Sequence, residues 1–346
     1  MKQNNLKFLI RTAGGKARKK ELGFGHIYRC INLASNLQVD EIYFEIEDYG
    51  GVEEILRKNG FSNIVRLKTD IDTSSDIKKT LQLVKKKKID VLIIDKYKIT
   101  SRYISEVRKS VKTVLISDLR NIDYPADLVV NGFIGFKSDI IRNRYGIKCL
   151  VGPSYQILNK KFARKSQQKK KYSLLATFGG FDENNIVTTL LRMLEKYLPK
   201  MKTKIILGPS TPKSKWIQLL EKKYTRYLKV VNETNDMHKE IAQARFGLCS
   251  GGITTYEFAA MNVPFAIICQ VKHQLITAQE WQKKGIALNL GLVSNRTSMR
   301  TDRLLHGLLT TRIHKKIINK NVVDGFGTQR VVNQILRMVQ STSPKI

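Results

Sequence analysis

The chain has 346 residues, and its 62 Lys and Arg against 29 Asp and Glu give a formal net charge of +33. Its 42% hydrophobic content excludes wholesale disorder, and its length suggests about two domains. Such a charge attracts polyanions and allows weak association with anionic surfaces. No zinc-finger spacing, RRM signature or aromatic-interleaved basic repeat accompanies it, so specific nucleic-acid recognition is not expected.

The elements read as follows in chain order. Phe8–Arg11 reads as a strand and Ile27–Leu37 as a helix, with Ile27, Cys30, Ile31 and Ala34 on one face. Glu41–Ile46 is a strand, Val52–Asn59 a short helix closed by Gly60, and Ile64–Leu67 a third strand. Asp76–Lys87 is helical, Val91–Asp95 is an apolar strand ending in a carboxylate, and Arg102–Lys109 is helical. Thr113–Ser117 and Leu128–Asn131 are further strands. These strands are too apolar to leave one face in water, so a parallel sheet covered by helices on both faces is expected.

Between Pro153 and Lys171 the pattern gives way to a polar, lysine-rich stretch that suits a linker. A second α/β series follows. Its strands are Ser173–Thr177, Lys204–Leu207, Leu228–Val231, Phe246–Cys249 and Phe265–Cys269. Its helices are Asn184–Leu198, Met237–Ala244 and Thr254–Met261. The expected organisation is an N-terminal Rossmann-like domain over 1–155, a basic linker over 156–171 and a C-terminal Rossmann-like domain over 172–346. The last helix is a candidate to cross back onto the first domain. Two doubly wound α/β domains would then face a central cleft, with ligands at the carboxyl ends of the strands.

No apolar run reaches the roughly 18 residues of a transmembrane helix. Phe8–Ile10 falls short of the roughly 7–15 apolar residues of a secretory signal. Cys30, Cys149, Cys249 and Cys269 are widely spaced and read as reduced packing residues. A cytoplasmic location and a monomeric state are therefore expected.

Three strand-to-helix junctions carry the chemistry. Gly23-Phe24-Gly25-His26 opens the first helix, where free backbone N–H groups suit an anion. His26 there could accept a proton near neutral pH, or could simply cap or pack the helix. The second junction is Thr177-Phe178-Gly179-Gly180-Phe181-Asp182, which also reads as an ordinary turn. The third is Ser250-Gly251-Gly252-Ile253-Thr254-Thr255-Tyr256-Glu257. Its glycines and hydroxyls suit a phosphate, and Glu257, one turn in, could accept both hydroxyls of a ribose. The alternative for Glu257 is a carboxylate complementing the helix dipole.

The string Ile10-Arg11-Thr12, followed by Gly23-Phe24-Gly25-His26-Ile27-Tyr28-Arg29-Cys30, resembles the opening signature of a known family. Further matches follow in order: Val91–Tyr97, Leu115–Asp118, Ala126–Gly132, Leu175–Asp182, Cys249–Pro264, His273-Gln274 and Val323–Gly327. The family is that of the UDP-sugar hydrolases of pseudaminic acid biosynthesis, also described as spore coat polysaccharide biosynthesis proteins of the SpsG type. It has the GT-B fold of glycosyltransferases and is similar to the enzyme that adds N-acetylglucosamine to the lipid-linked peptidoglycan precursor.

The resemblance implies release of UDP from UDP-2,4-diacetamido-2,4,6-trideoxy-β-L-altropyranose by water. It places His26, Asp95 and Tyr97 at the catalytic centre, His26 activating water at the anomeric carbon. It places Gly25, Gly179, Gly180, Ser250, Gly251, Gly252, Ile253, Thr254 and Glu257 on the nucleotide. Arg11, Arg29, His273 and Gln274 fall on the sugar side. The resemblance implies neither a metal nor a cofactor. The chain departs from the family in its long basic loop Thr12–Leu22, in Lys96 where His is frequent and in Lys98 where Gly is frequent, which leaves the exact sugar open. Two other readings stand beside the hydrolase: a GT-B glycosyltransferase using a UDP-sugar donor, and a polyanion-binding protein without activity.

Overall fold

The computed structural model describes residues 6–15, 23–163, 168–180, 182, 184–208, 211–309 and 321–340. They form two compact units, one of residues 1–160 with 325–346, the other of residues 161–324.

The first unit alternates β1 (Lys7–Gly14), α1 (Gly25–Ala34), β2 (Glu41–Asp48), α2 (Val52–Lys58), β3 (Ile64–Leu67), α3 (Thr73–Lys87), β4 (Val91–Asp95), α4 (Ser101–Arg108) and β5 (Lys112–Ile116). The strands β6 (Leu128–Asn131), β7 (Ile140–Arg142) and β8 (Lys148–Val151) complete it. The sheet order is β3-β2-β1-β4-β5-β6-β8-β7, and among the described strands only β7 runs antiparallel to its neighbour. Strand order therefore reverses direction between β1 and β4, the switch point at which doubly wound sheets bind ligands.

Side chains alternate between the faces of a strand, and here the two faces feed separate cores. Phe8, Ile10, Val91, Ile93, Phe44 and Ile46 pack on the face covered by α1, through Ile27, Cys30 and Ile31. Leu9, Leu92, Ile94 and Tyr43 pack on the other face, under Leu83 and Val84 of α3 and Tyr103, Ile104 and Val107 of α4. Each such side chain stabilises the fold by roughly 1.5–3 kcal/mol.

The second unit contains β9 (Tyr172–Thr177), α5 (Ile186–Leu194), β10 (Thr203–Ile206), α6 (Lys215–Lys223), β11 (Leu228–Val231), α7 (Met237–Ala242) and β12 (Ala244–Cys249). It continues through α8 (Thr254–Ala260), β13 (Phe265–Cys269), α9 (Gln274–Lys283), β14 (Ala287–Leu292) and α10 (Asn295–Leu309). Its all-parallel sheet runs β11-β10-β9-β12-β13-β14, with the switch point between β9 and β12.

The final helix, α11 (Gly327–Gln340), belongs to the first unit. Val331, Val332, Ile335 and Leu336 join the core beneath α1. Thr328 ties its start to the backbone of Leu158, accepting from N at 3.0 Å and donating to O at 2.5 Å.

The structure moves several expected boundaries. The stretch 156–171 is not a linker throughout: Gln156, Ile157 and Leu158 are buried in the first unit, and the division falls after Lys160. Residues 325–340, counted in the C-terminal domain with their helix a candidate to cross back, belong to the first unit. Thr12, Ala13 and Gly14, expected to open a loop, extend β1, and the rest of that loop, 16–22, lies outside the described residues. Strands β7, β8 and β14 and helices α6, α9 and α10 were not foreseen. All four cysteines are buried thiols. No described helix is long and apolar enough to cross a membrane.

Candidate functional site

In the first unit the chemistry gathers at the switch point. Asp95 ends β4 on the same face as Val91 and Ile93, so it points toward α1 and is completely buried. His26 and Arg29 lie three residues apart on α1 and therefore share a helix face. Asp95 Oδ1 lies 2.6 Å from His26 Nδ1. Arg29 donates through Nε to Asp95 Oδ2 at 2.7 Å and through Nη2 to Oδ1 at 2.6 Å, a fork that fixes the carboxylate. Its Nη1 reaches Asp118 Oδ1 at 2.6 Å, and the Cys30 thiol lies 3.7 Å from Asp95 Oδ2.

With neutral His26 this cluster carries one guanidinium and two carboxylates, a net negative charge that favours the imidazolium. Burial works against that charge, but Asp95, by its charge and its hydrogen bond, with Asp118 behind it, outweighs both burial and Arg29. The His26 pKa is raised above 6.5. Burial would lift the Asp95 carboxyl, yet Arg29 and then His26 hold it well below the usual carboxylate range. When His26 is neutral, the carboxylate draws the ring proton to Nδ1 and leaves the lone pair on Nε2. Nε2 bonds to no described residue, while the side chain keeps 20% of its surface exposed. That nitrogen is an oriented base.

The remaining first-unit expectations fare differently. Gly25 begins α1, one residue before His26. Tyr97 lies just past β4 with 41% of its surface exposed and the Lys98 ammonium 5.3 Å from its ring centre, and it bonds to neither His26 nor Asp95. The placement of Arg11 on the sugar side is corrected. Arg11 shares a strand face with Leu9, opposite Ile10, so it turns toward α3 and is completely enclosed. It donates to both Asp76 oxygens, at 2.9 and 2.8 Å, and to Glu47 at 2.5 Å. Lys96, on the opposite face from Asp95, joins this network through Asp76 at 2.9 Å and Glu47 at 2.5 Å.

Glu45 lies in the same network, accepts from Thr80 at 2.6 Å and is pushed up to about 7 by burial, against the pull of Thr80 and Arg11. The neutral acid leaves two cations, Arg11 and Lys96, against two carboxylates, Glu47 and Asp76. A folded-state pKa above the ordinary 4.5 stabilises the fold fully below pH 4.5, and that contribution is lost as pH rises through about 7. Glu45→Gln should therefore flatten the pH dependence of thermal stability between pH 5 and 8 and raise Tm at pH 8. Melting curves at those two values measure it, and parallel curves for both proteins would refute a neutral Glu45.

In the second unit the carboxyl ends of β9, β10, β12 and β13 bring four loops together. Gly179, at φ +82°, and Gly180 follow β9; a side chain on Gly179 would come within 3.7 Å of Ser250 Oγ. Gly208, after β10, lies so close to Gly179 and Gly180 that a Cβ would sit 2.1 Å from the Gly179 carbonyl oxygen. Gln274 Oε1 accepts from Gly251 N at 3.3 Å and Gln270 N at 2.9 Å, and Gln270 donates to the Phe178 carbonyl at 2.7 Å. Gln274 is thus a brace of the turn. It packs so near Gly251 that a Cβ there would meet it at 2.8 Å.

Thr255 completes the turn. Its hydroxyl donates to the Gly252 carbonyl at 2.7 Å and accepts from the buried Trp281 at 3.0 Å. With Gly251 N committed to Gln274, the N–H groups of Gly252, Ile253 and Thr254 are those without an acceptor among the described residues of this turn. They open α8 beside the buried Ser250 hydroxyl, a donor set for an anion. Glu257 stands one turn along, pushed up to about 7 by burial, with Thr254 pulling it back. No cation pairs with this carboxylate among the described residues. His273 precedes α9 at an exposed position.

Of the expected residues, the structure brings His26, Arg29 and Asp95 into one cluster and sets Ser250–Glu257 at the start of α8. Asp118, Gly208, Gln270 and Thr255 were unassigned from the sequence. Gln270 and Gly208 each sit one or two residues beyond an apolar strand, and that position is the signal that could have found them.

No protein-family model matches the sequence. The chain is 28% identical over 329 residues to the spore coat polysaccharide biosynthesis protein SpsG of Bacillus subtilis, covering 90% of this chain and 93% of that protein. It is 27% identical over 274 residues to the UDP-2,4-diacetamido-2,4,6-trideoxy-β-L-altropyranose hydrolase of Campylobacter jejuni, covering 77% and 93%. Among solved structures, MurG of Acinetobacter baumannii superposes with a TM-score of 0.64 at 16% identity, over 96% of this chain and 99% of that one. Anabaena HepE in complex with UDP gives 0.57 at 12% identity, over 98% and 100%. In sequence the chain groups with the SpsG-type and altropyranose-hydrolase proteins, and its fold is the GT-B fold of MurG.

Proposed function

We propose that the protein is an enzyme that hydrolyses a UDP-sugar at the anomeric carbon and releases UDP, the sugar being a diacetamido-trideoxyhexose destined for nonulosonic acid or surface polysaccharide. The observation that carries this reading is the His26–Asp95 pair, a histidine fixed at Nδ1 whose Nε2 is open and oriented. Such a nitrogen accepts a proton from water as the oxygen attacks carbon. In the second unit, the glycine-rich turn with Ser250 and Glu257 offers donors for a diphosphate and an acceptor for ribose hydroxyls. The relative from Campylobacter jejuni bears the name of this hydrolysis, and HepE binds UDP in the same fold.

Asp95 and Arg29 hold the histidine ring still, and Asp95 stabilises the imidazolium that forms as water loses its proton. Negative charge grows on the leaving phosphate in the same step, and the fixed N–H groups of Gly252, Ile253 and Thr254 offset it without reorganising.

A UDP-release assay over a panel of UDP-sugars, including the altropyranose named above, tests the reading. Release without an acceptor, reduced roughly 10²–10⁴-fold in His26→Ala, is expected. Release that requires an added acceptor would make the protein a transferase, and release undiminished in His26→Ala would remove the base. The pH profile is a second measurement. Because neutral His26 is the active form and its pKa is raised, the rate should climb with pH through a midpoint above 6.5. A midpoint below 6.5 would contradict the assignment.

A further inference from the structure

Helix α6 carries a surface that the proposed reaction does not use. Ile217 and Leu220 turn inward and are buried. The opposite face carries Lys215, Leu219, Lys222 and Lys223, because these positions recur at helical spacing, and Arg226 follows one turn later. Leu219 is 67% exposed at the centre of this stripe, Trp216 is 36% exposed at its margin, and Tyr227 is 37% exposed beyond the helix. The Arg192 guanidinium lies 5.9 Å from the Trp216 ring centre, and Lys229 faces outward from the edge strand β11. The acids nearby are already engaged: Glu195 pairs with Lys223 at 2.9 Å, and Glu221 takes Lys213 and the Val230 amide.

We infer that this face of α6 docks on an anionic lipid surface, with Leu219 and Trp216 entering the headgroup boundary and Lys215, Lys222 and Arg226 pairing with lipid phosphates. The charge is complementary, and Leu219 and Trp216 set apolar side chains among the cations of the outward face. The centre of the patch favours lipid over RNA. An aliphatic Leu219 gains by leaving water for an acyl boundary, whereas a nucleic acid would reward stacking or hydrogen-bonding groups at that point.

The chain contains two tryptophans, and Trp281 is fully buried, so a change in emission on binding reports on Trp216. The experiment adds the full-length protein to vesicles of equal phosphatidylglycerol and phosphatidylcholine, and separately to vesicles of phosphatidylcholine alone. A blue shift and co-sedimentation with the first alone are expected, both weakening as salt rises. The +33 charge could bind such vesicles through any face, so the variants decide. Leu219→Asp should lower partitioning and Lys215→Glu with Lys222→Glu should lower it too, each roughly 10-fold. Circular dichroism melts should stay unchanged, since all three side chains are exposed. Partitioning unchanged in these variants, or binding without a Trp216 shift, would overturn the inference. A Trp216 response to single-stranded RNA with none to vesicles would also overturn it and assign the face to nucleic acid. None of these readouts depends on the catalytic reading.

Discussion

Asp95→Asn should lower the rate of UDP-sugar hydrolysis by roughly 10³–10⁴-fold, the scale seen when an amide replaces the carboxylate that orients a catalytic histidine. The substitution keeps the shape and removes the charge. Asp95 now receives two bonds from Arg29 at 2.6 and 2.7 Å and holds His26 Nδ1 at 2.6 Å. Arg29 bonds both carboxylate oxygens, so an NH2 group at either position opposes it, and at the Oδ1 position it faces His26 Nδ1 as well. With the NH2 group at the Oδ1 position the ring proton is sent to Nε2 and the base is blocked. The His26 pKa should fall as well, because Asp95 is the main group raising it. NMR titration of the His26 ring protons reads this without substrate, so the structural claim can be tested even if the sugar is wrong. A rate within 10-fold of the wild type, with the His26 pKa unmoved, would sink the assignment. The variant should also lose stability at neutral pH, because Arg29 then keeps Asp118 as its one charged partner in the cluster.

The second large effect concerns Glu257. Glu257→Ala should weaken UDP binding by roughly 100-fold, since two hydroxyl hydrogen bonds to a charged acceptor each contribute about 1.5 kcal/mol. The pH dependence is the more specific test. Burial pushes the free carboxyl up to about 7, whereas hydroxyls donating to it favour the ionised form. Binding therefore lowers the pKa and releases a proton near neutral pH. Affinity should fall as pH drops below about 7 and level off above it. Calorimetry in two buffers of different ionisation enthalpy at pH 6.5 measures the proton release. A wild-type signal independent of buffer, or an affinity for UDP unchanged in Glu257→Ala, would remove the residue from the ribose.

Much of this was legible in the order of the residues. The strands Ile64–Leu67, Val91–Asp95, Leu128–Asn131, Leu228–Val231 and Phe265–Cys269 stand where their apolar runs place them. Short β-rich runs bounded by polar residues have few alternatives once both faces are buried. His26 and Arg29 were named for separate roles, and only the start of α1 at Gly25 puts them three apart on one helix. Elements with weaker patterns were not legible. Helix α9 buries Thr277, Ala278 and Trp281 on one face but exposes Ile276, so its apolar residues do not mark the buried face, and β7 is an exposed edge strand of three residues. Neither carries a period strong enough to announce itself.

Arg11 marks the boundary between the two kinds of knowledge. Its motif put it beside His26, and one strand position decided otherwise. Because successive side chains alternate across a sheet, Arg11 follows Leu9 to the α3 face while Asp95 follows Ile93 to the α1 face. Lys96, next to Asp95, goes with Arg11 for the same reason. The sequence alone determined the α/β class, the doubly wound order, and the residue types at both switch points, because strand periodicity and turn chemistry are local. Tertiary structure alone decided which groups meet: that Asp118 completes the His26 cluster, that Gln274 braces a turn, and that Thr328 and Arg330 hold α11, the candidate to cross back, on the first unit. Those pairings join residues 23 to 176 positions apart, and their geometry is set by how sheets and helices pack.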